Sequence, residues 1–216
     1  MKKMIFLLPL LAMAGAAGAH TINYELSRLS ETDAGWTYLK LGFEHIVPLG
    51  TDHILFVLSL FFLSNRLKTV VLQATAFTLA HSITLGLAIF GYIEPLAAVV
   101  EPIIALSIFF VAVENMLVRE LKPSRLGIVF LFGLVHGMGF AGVLSELGLP
   151  SESYIQALLS FNIGVELGQL AVILAAYFLL GRWFSNEKWY RRRVVNPVSA
   201  GIALLALYWT LERTWG

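Results

Sequence analysis

Two imidazoles and a carboxylate fall within the short run His45-Ile-Val-Pro-Leu-Gly-Thr-Asp52-His53, inside an otherwise apolar stretch. An ionisable side chain at membrane depth costs several kcal/mol unless it faces protein or a wet cavity, so such a cluster marks a functional site by default. Imidazole and carboxylate together are donors for divalent transition metals. Further along, His81 sits in Phe77-Thr-Leu-Ala-His81-Ser82 and His136 in Gly133-Leu-Val-His136-Gly137. Asn162, Glu166 and Gln169 recur at i, i+4 and i+7, one face of a helix. Asp52 follows His45 at i+7, close to a whole number of turns, so the pair is expected to face one cavity, with Pro48 and Gly50 softening the count.

These residues define the expected site. Its metal ligands are His20, His45, Asp52, His53, His81, His136 and Glu166, and its lining is Glu44, Thr78, Glu101, Asn162 and Gln169. Blander readings compete at several positions. A single intramembrane histidine such as His81 or His136 serves equally well to hydrogen-bond two helices. Glu166 can be satisfied by Asn162 and Gln169, and Glu101, just before Pro102, suits a helix start favoured by the dipole. Asp52 beside His53 is the strongest pair, because a buried charge next to a second titratable group rarely serves packing alone. The chain has no cysteine, which removes thiolate sites, disulfides and cysteine nucleophiles. Nickel, cobalt, copper, zinc and iron all suit such donors.

The elements that hold these groups are membrane helices. The 216 residues are 58% hydrophobic and 13% charged, against roughly 25% charged in a soluble domain. A net charge of +1 gives no reason to expect nucleic acid. Lys2 and Lys3, an apolar core over 4–11 and Ala17-Gly18-Ala19 read as a cleaved signal peptide, residues 1–19, too short in its apolar part to span. Cleavage leaves His20 first, where its amine and ring chelate a metal as a two-nitrogen unit, or where it merely follows the cleavage site. Residues 20–216 then form one transmembrane domain, an all-α bundle of six helices over about 41–63, 70–90, 97–118, 126–147, 155–180 and 197–211. The last is short for a span. In the first, Pro48 and Gly50 predict a kink or a partly unwound segment.

Loop charge sets an orientation. Without Lys2 and Lys3, thirteen of the 15 basic residues remain, and ten of them follow the first, third and fifth helices: Arg66 and Lys68; Arg119, Lys122 and Arg125; Arg182, Lys188 and Arg191 to Arg193. Those loops are expected in the cytoplasm. The loops near Glu94 and Glu152 carry no Lys or Arg and are expected outside, as are both termini. Trp36, Tyr38, Tyr92, Tyr154, Trp183, Trp189 and Trp209 fall near helix ends, as interfacial aromatics do.

A leader that delivers an N-terminal histidine, the Gly50-x-Asp52-His53 core with His45 before it, the Phe77 to Ser82 segment and the His136-Gly137 element together resemble the HupE/UreJ family of hydrogenase and urease accessory proteins. The resemblance spans nearly all of residues 20–216. It implies a six-helix secondary permease for nickel or cobalt in the inner membrane of a bacterium, with His45, Asp52 and His53 as the motif residues. The spacing departs from the family pattern, which has five residues between the first histidine and the Asp-His pair and a proline directly after that histidine. Here six residues intervene and the proline is Pro48, so a divergent branch is expected, with His45 displaced and nickel less firmly implied.

The expected activity is capture of a divalent metal from the outer side and its passage inward. No phosphate-cradling motif is present, so no nucleotide is expected. An enzyme is not expected: membrane di-iron oxidases need more and closer histidines than these five, and no Gly-x-Ser-x-Gly nucleophile element occurs. The alternative is a non-transporting accessory protein that senses metal or delivers it to a metalloenzyme. Expected partners are the lipid bilayer, the metal ion and metalloenzyme maturation proteins. The number of copies in the assembly stays open.

Overall fold

The computed structural model describes residues 31–64, 66–118, 122–147 and 154–216. His20 and the signal peptide lie outside these residues. Among the described residues all regular structure is helical. In chain order the helices are α1 (Glu31–Ile46), α2 (Thr51–Leu63), α3 (Leu67–Ile89), α4 (Ala97–Leu117), α5 (Arg125–Leu147), α6 (Tyr154–Ala176) and α7 (Asn196–Trp215). A π-helical stretch, Tyr177–Gly181, and a last turn, Arg182–Phe184, prolong α6. A second π-helical stretch, Arg191–Val195, leads into α7.

The long helices α3 to α7 expose apolar side chains. On α3, Leu79, Ile83 and Leu87 recur at every fourth residue and are exposed, while Phe77, Ala80, His81 and Thr84 are buried. Lipid accepts such an apolar exterior, and polar groups are left to the bundle interior. Among the described residues, five helical segments are long and apolar enough to cross a bilayer, and six if α1 and α2 count as one broken span. The segment expected to be short is one of them: it runs over Arg191–Trp215, because the basic run Arg191 to Arg193 is helical and opens the helix. Of the expected interfacial aromatics, Trp36, Tyr92 and Trp183 are exposed, but Tyr38 is fully buried on the inner face of α1.

The first apolar stretch is two helices. α1 begins well before residue 41, and its axis and that of α2 are bent by 67°. Proline supplies no N–H at position 48, and a Cβ at Gly50 would overlap the carbonyl oxygen of His45, so the break admits only glycine there. Leu49 N–H donates to Glu44 O at 3.2 Å, Gly50 N–H to Ile46 O at 3.1 Å and Ile54 N–H to Gly50 O at 2.9 Å, which satisfies the backbone through the break.

Glycines set the distance between helices. Gly42 of α1 lies against the Phe161 carbonyl and Gly164 of α6 against that of Leu39, so α1 runs beside α6 at backbone contact. Gly133 and Gly137 of α5 meet the carbonyls of Phe77 and His81 in the same way. Gly133 with Gly137, and Gly164 with Gly168, follow the small-xxx-small pattern of membrane helices. They bring His45 next to α6 and His81 next to α5. At the basic end of the bundle, Arg125 binds Gln73 and Glu114, and Arg191 donates to the carbonyls of Asn115 and Val118. At the opposite end, the end of α7 meets the starts of α2 and α4.

Candidate metal centre

The break between α1 and α2 places His45 in the last turn of one helix and His53 in the first turn of the next. Their ring centroids are 4.6 Å apart. His81 of α3 completes a triangle, 6.0 Å from His45 and 5.9 Å from His53. One ligand nitrogen from each ring lies within 4.8 Å of the other two. Nitrogens on a common ion at 2.0–2.1 Å sit roughly 3 Å apart, so small side-chain rotations suffice to close the three on one metal. The extra residue before Asp52 does not displace His45, because the turn over 47–50 absorbs it.

Hydrogen bonds leave the right atoms free. Asn162 donates its amide nitrogen to the Leu158 carbonyl at 2.8 Å, which turns its oxygen towards His81. His81 Nδ1 is 3.4 Å from that oxygen and acts as the donor. The proton on Nδ1 keeps Nε2 unprotonated, the form that binds metal. Nε2 of His45, His53 and His81 are all buried without a hydrogen-bond partner. Three buried ring nitrogens without partners in one place are costly unless a ligand serves them.

His136 is a fourth imidazole, 5.1 Å from the His53 ring. Ser107 spends its hydroxyl proton on the Ile104 carbonyl at 2.7 Å and therefore accepts from His136 Nε2 at 2.9 Å. Its Nδ1 remains as a buried atom without a partner. Phe140 covers His45 at 3.9 Å between centroids and stacks on Phe161 at 5.1 Å. Phe77 and Phe56 pack on His136 at 4.9 and 5.2 Å. Phe56 and Phe77 therefore close the side of the rings that faces the basic end, whereas Phe140 lines the cavity beside His45.

A cavity of about 500 Å³ opens on the other side, lined by His45, His53 and His136 at its floor and by Glu44, Asp52, Glu101 and Arg213 higher up. Asp52 does not join the three histidines. Its carboxylate takes a two-pronged bond from Arg213, at 2.8 and 3.2 Å, and Arg213 also donates to the Glu101 carbonyl at 3.3 Å. His45 and Asp52 do line one cavity, as their spacing suggests, but the bend between them keeps Asp52 out of the histidine triangle. Glu44 pairs with Lys40 at 3.7 Å. Glu166 is likewise away from the histidines and accepts from Thr75 at 2.6 Å, while Thr78 donates to the Ala74 carbonyl and Gln169 is fully buried.

Arg213 and Ser107 were not anticipated. A cation near the end of an apolar helix is itself a costly feature, and that signal was available for Arg213. Ser107 had none, since a lone serine in a helix ordinarily bonds its own backbone.

Searches of curated proteins and of solved structures found no match to the chain. The family model described as HupE / UreJ protein matches residues 21–213, most of the chain, with every histidine of this cluster. With its apolar helices and buried imidazoles, the chain is a multi-pass membrane protein that belongs to the HupE/UreJ family.

Proposed function

We propose that this protein is a permease of the bacterial inner membrane that carries a divalent transition metal, nickel first and cobalt second, into the cell. One observation carries the reading: His45, His53 and His81, each with an unpartnered buried ring nitrogen, cluster together, and the first two line a cavity that also holds the carboxylates of Glu44, Asp52 and Glu101. The cavity opens at the end of the bundle opposite Arg125 and Arg191, which the positive-inside rule assigns to the outer face. Carboxylates at the rim attract the hydrated cation, and the imidazoles replace its water with nitrogen donors in a dry pocket. A divalent ion moving inward gains about 4.6 kcal/mol per 100 mV of membrane potential, twice the single-charge value. That drive needs no nucleotide.

A second reading has one observation behind it. Inward of the histidines the bundle is filled by Phe56, Leu60, Phe61 and Phe77, all buried, which suits a protein that holds metal for delivery to maturation proteins. Whole-cell uptake of radioactive nickel, cobalt, copper and zinc, with and without the protein, separates the two. Uptake of nickel or cobalt above background is expected. Metal bound by the purified protein without any uptake establishes the delivery reading instead.

The orientation is testable alongside. Reporter fusions at Lys68, Lys122 and Arg192 are expected to report cytoplasm, and fusions at Glu94 and after Gly216 the outside. Cytoplasmic activity at Gly216 would place the cavity mouth on the wrong side for import.

A further inference from the structure

Resting on the permease reading, we infer that Glu166, Thr75 and Gln169 form a second cation site built of oxygen donors, which receives the divalent ion from the histidines on its way inward. Thr75 of α3 donates its hydroxyl to Glu166 Oε1 at 2.6 Å, which fixes the carboxylate in the interface between α3 and α6. Glu166 Oε2 is buried and has no partner. Gln169, three residues on and fully buried, has neither its amide oxygen nor its amide nitrogen bonded. No basic side chain pairs with Glu166 among the described residues. A carboxylate oxygen and an amide oxygen left bare in a dry interior cost several kcal/mol together, and a cation bridging them offsets that cost.

The position is what makes this a relay. Asn162, which holds His81, precedes Glu166 by four residues, about 6 Å along α6. Thr75 precedes His81 by six residues, about 9 Å along α3, and both displacements lead towards the basic end. Buried Thr78 lies between the two levels on α3. The second site is thus one to two helical turns inward of the first, along the same pair of helices. Its chemistry also differs. Imidazole nitrogens hold nickel or cobalt tightly, whereas carboxylate, amide and hydroxyl oxygens hold such ions less tightly. An ion that must leave needs a weaker stop after a stronger one.

Cobalt(II) titration of the purified protein in detergent tests this, with bound metal measured by equilibrium dialysis and the histidine site followed by its visible ligand-field absorption. The wild type is expected to bind two cobalt ions per chain, one giving the nitrogen-ligand spectrum. Glu166→Gln, which keeps the side-chain shape, is expected to bind one, with that spectrum unchanged, and Thr75→Val, which removes a hydroxyl donor and the bond that fixes Glu166, to weaken the second ion by at least roughly 10–100-fold. Glu166→Asp is expected to restore part of the binding. His53→Ala is expected to lose the spectrum and keep the second ion. If Glu166→Gln binds as many ions as the wild type, the second site does not exist. A wild type without the nitrogen-ligand spectrum overturns the histidine site itself, and with it the reading this inference rests on.

Discussion

His53→Ala is expected to bring nickel or cobalt uptake down to background while the protein still reaches the membrane. His53 touches both other members of the triangle, and it also adjoins His136, so its loss leaves no compact set of three donors. Its ring is buried and its free nitrogen has no hydrogen-bond partner, so alanine strands no partner atom elsewhere. His45→Ala and His81→Ala are expected to behave alike. Asn162 acts one step removed, through the tautomer of His81, so Asn162→Ala is expected to weaken metal binding by roughly 10–100-fold rather than abolish uptake. His20→Ala is expected only to raise the metal concentration for half-maximal uptake. Abundance in the membrane must be measured with each rate. Normal uptake by His53→Ala at normal abundance would remove the triangle from the mechanism.

The parts of this site that sequence exposes are those governed by local rules. A histidine in an apolar helix is visible because the bilayer penalises it, and this places His53, His81 and His136 among the candidates before any fold is known. Gly50 and Pro48 mark a break for reasons of backbone geometry alone. Gly164 and Gly168 likewise announce helix packing, and Gly164 does lie on the backbone of α1. What stays hidden depends on how elements are arranged. The angle of the break decides that Asp52 shares the cavity with His45 but not the histidine triangle, and no count along the chain contains that angle. Arg213 lies 161 residues from Asp52, so their pairing follows only from the packing of α7 against the start of α2. Periodicity groups Glu166 with the histidines because it shares a helical face with Asn162. The same periodicity hides that one face can serve two levels of depth.

Asp52 and Arg213 give the second large effect, and they separate a structural carboxylate from one that acts on the metal. Asp52 stands in the first turn of α2, where the helix dipole favours its charge, and the bidentate bond from Arg213 is the stronger type of ion pair. A divalent ion entering the cavity is attracted by Asp52 and repelled by Arg213. Asp52→Asn is therefore expected to abolish uptake, since it removes the attraction and leaves Arg213 as a bare positive charge at the rim. Arg213→Gln is expected to keep uptake and to lower its half-saturating metal concentration by roughly 10-fold, from relief of about 1–2 kcal/mol of charge repulsion at the dielectric of a wet site. Both side chains are about one-fifth exposed, so breaking the pair is expected to lower abundance less than losing a fully buried one. The double variant, Asp52→Asn with Arg213→Gln, replaces the ion pair by two amides that can still bond, and abundance is expected to recover while uptake does not. If the double variant transports like the wild type, Asp52 serves only to hold Arg213, and the attraction at the rim must come from Glu44 and Glu101 instead.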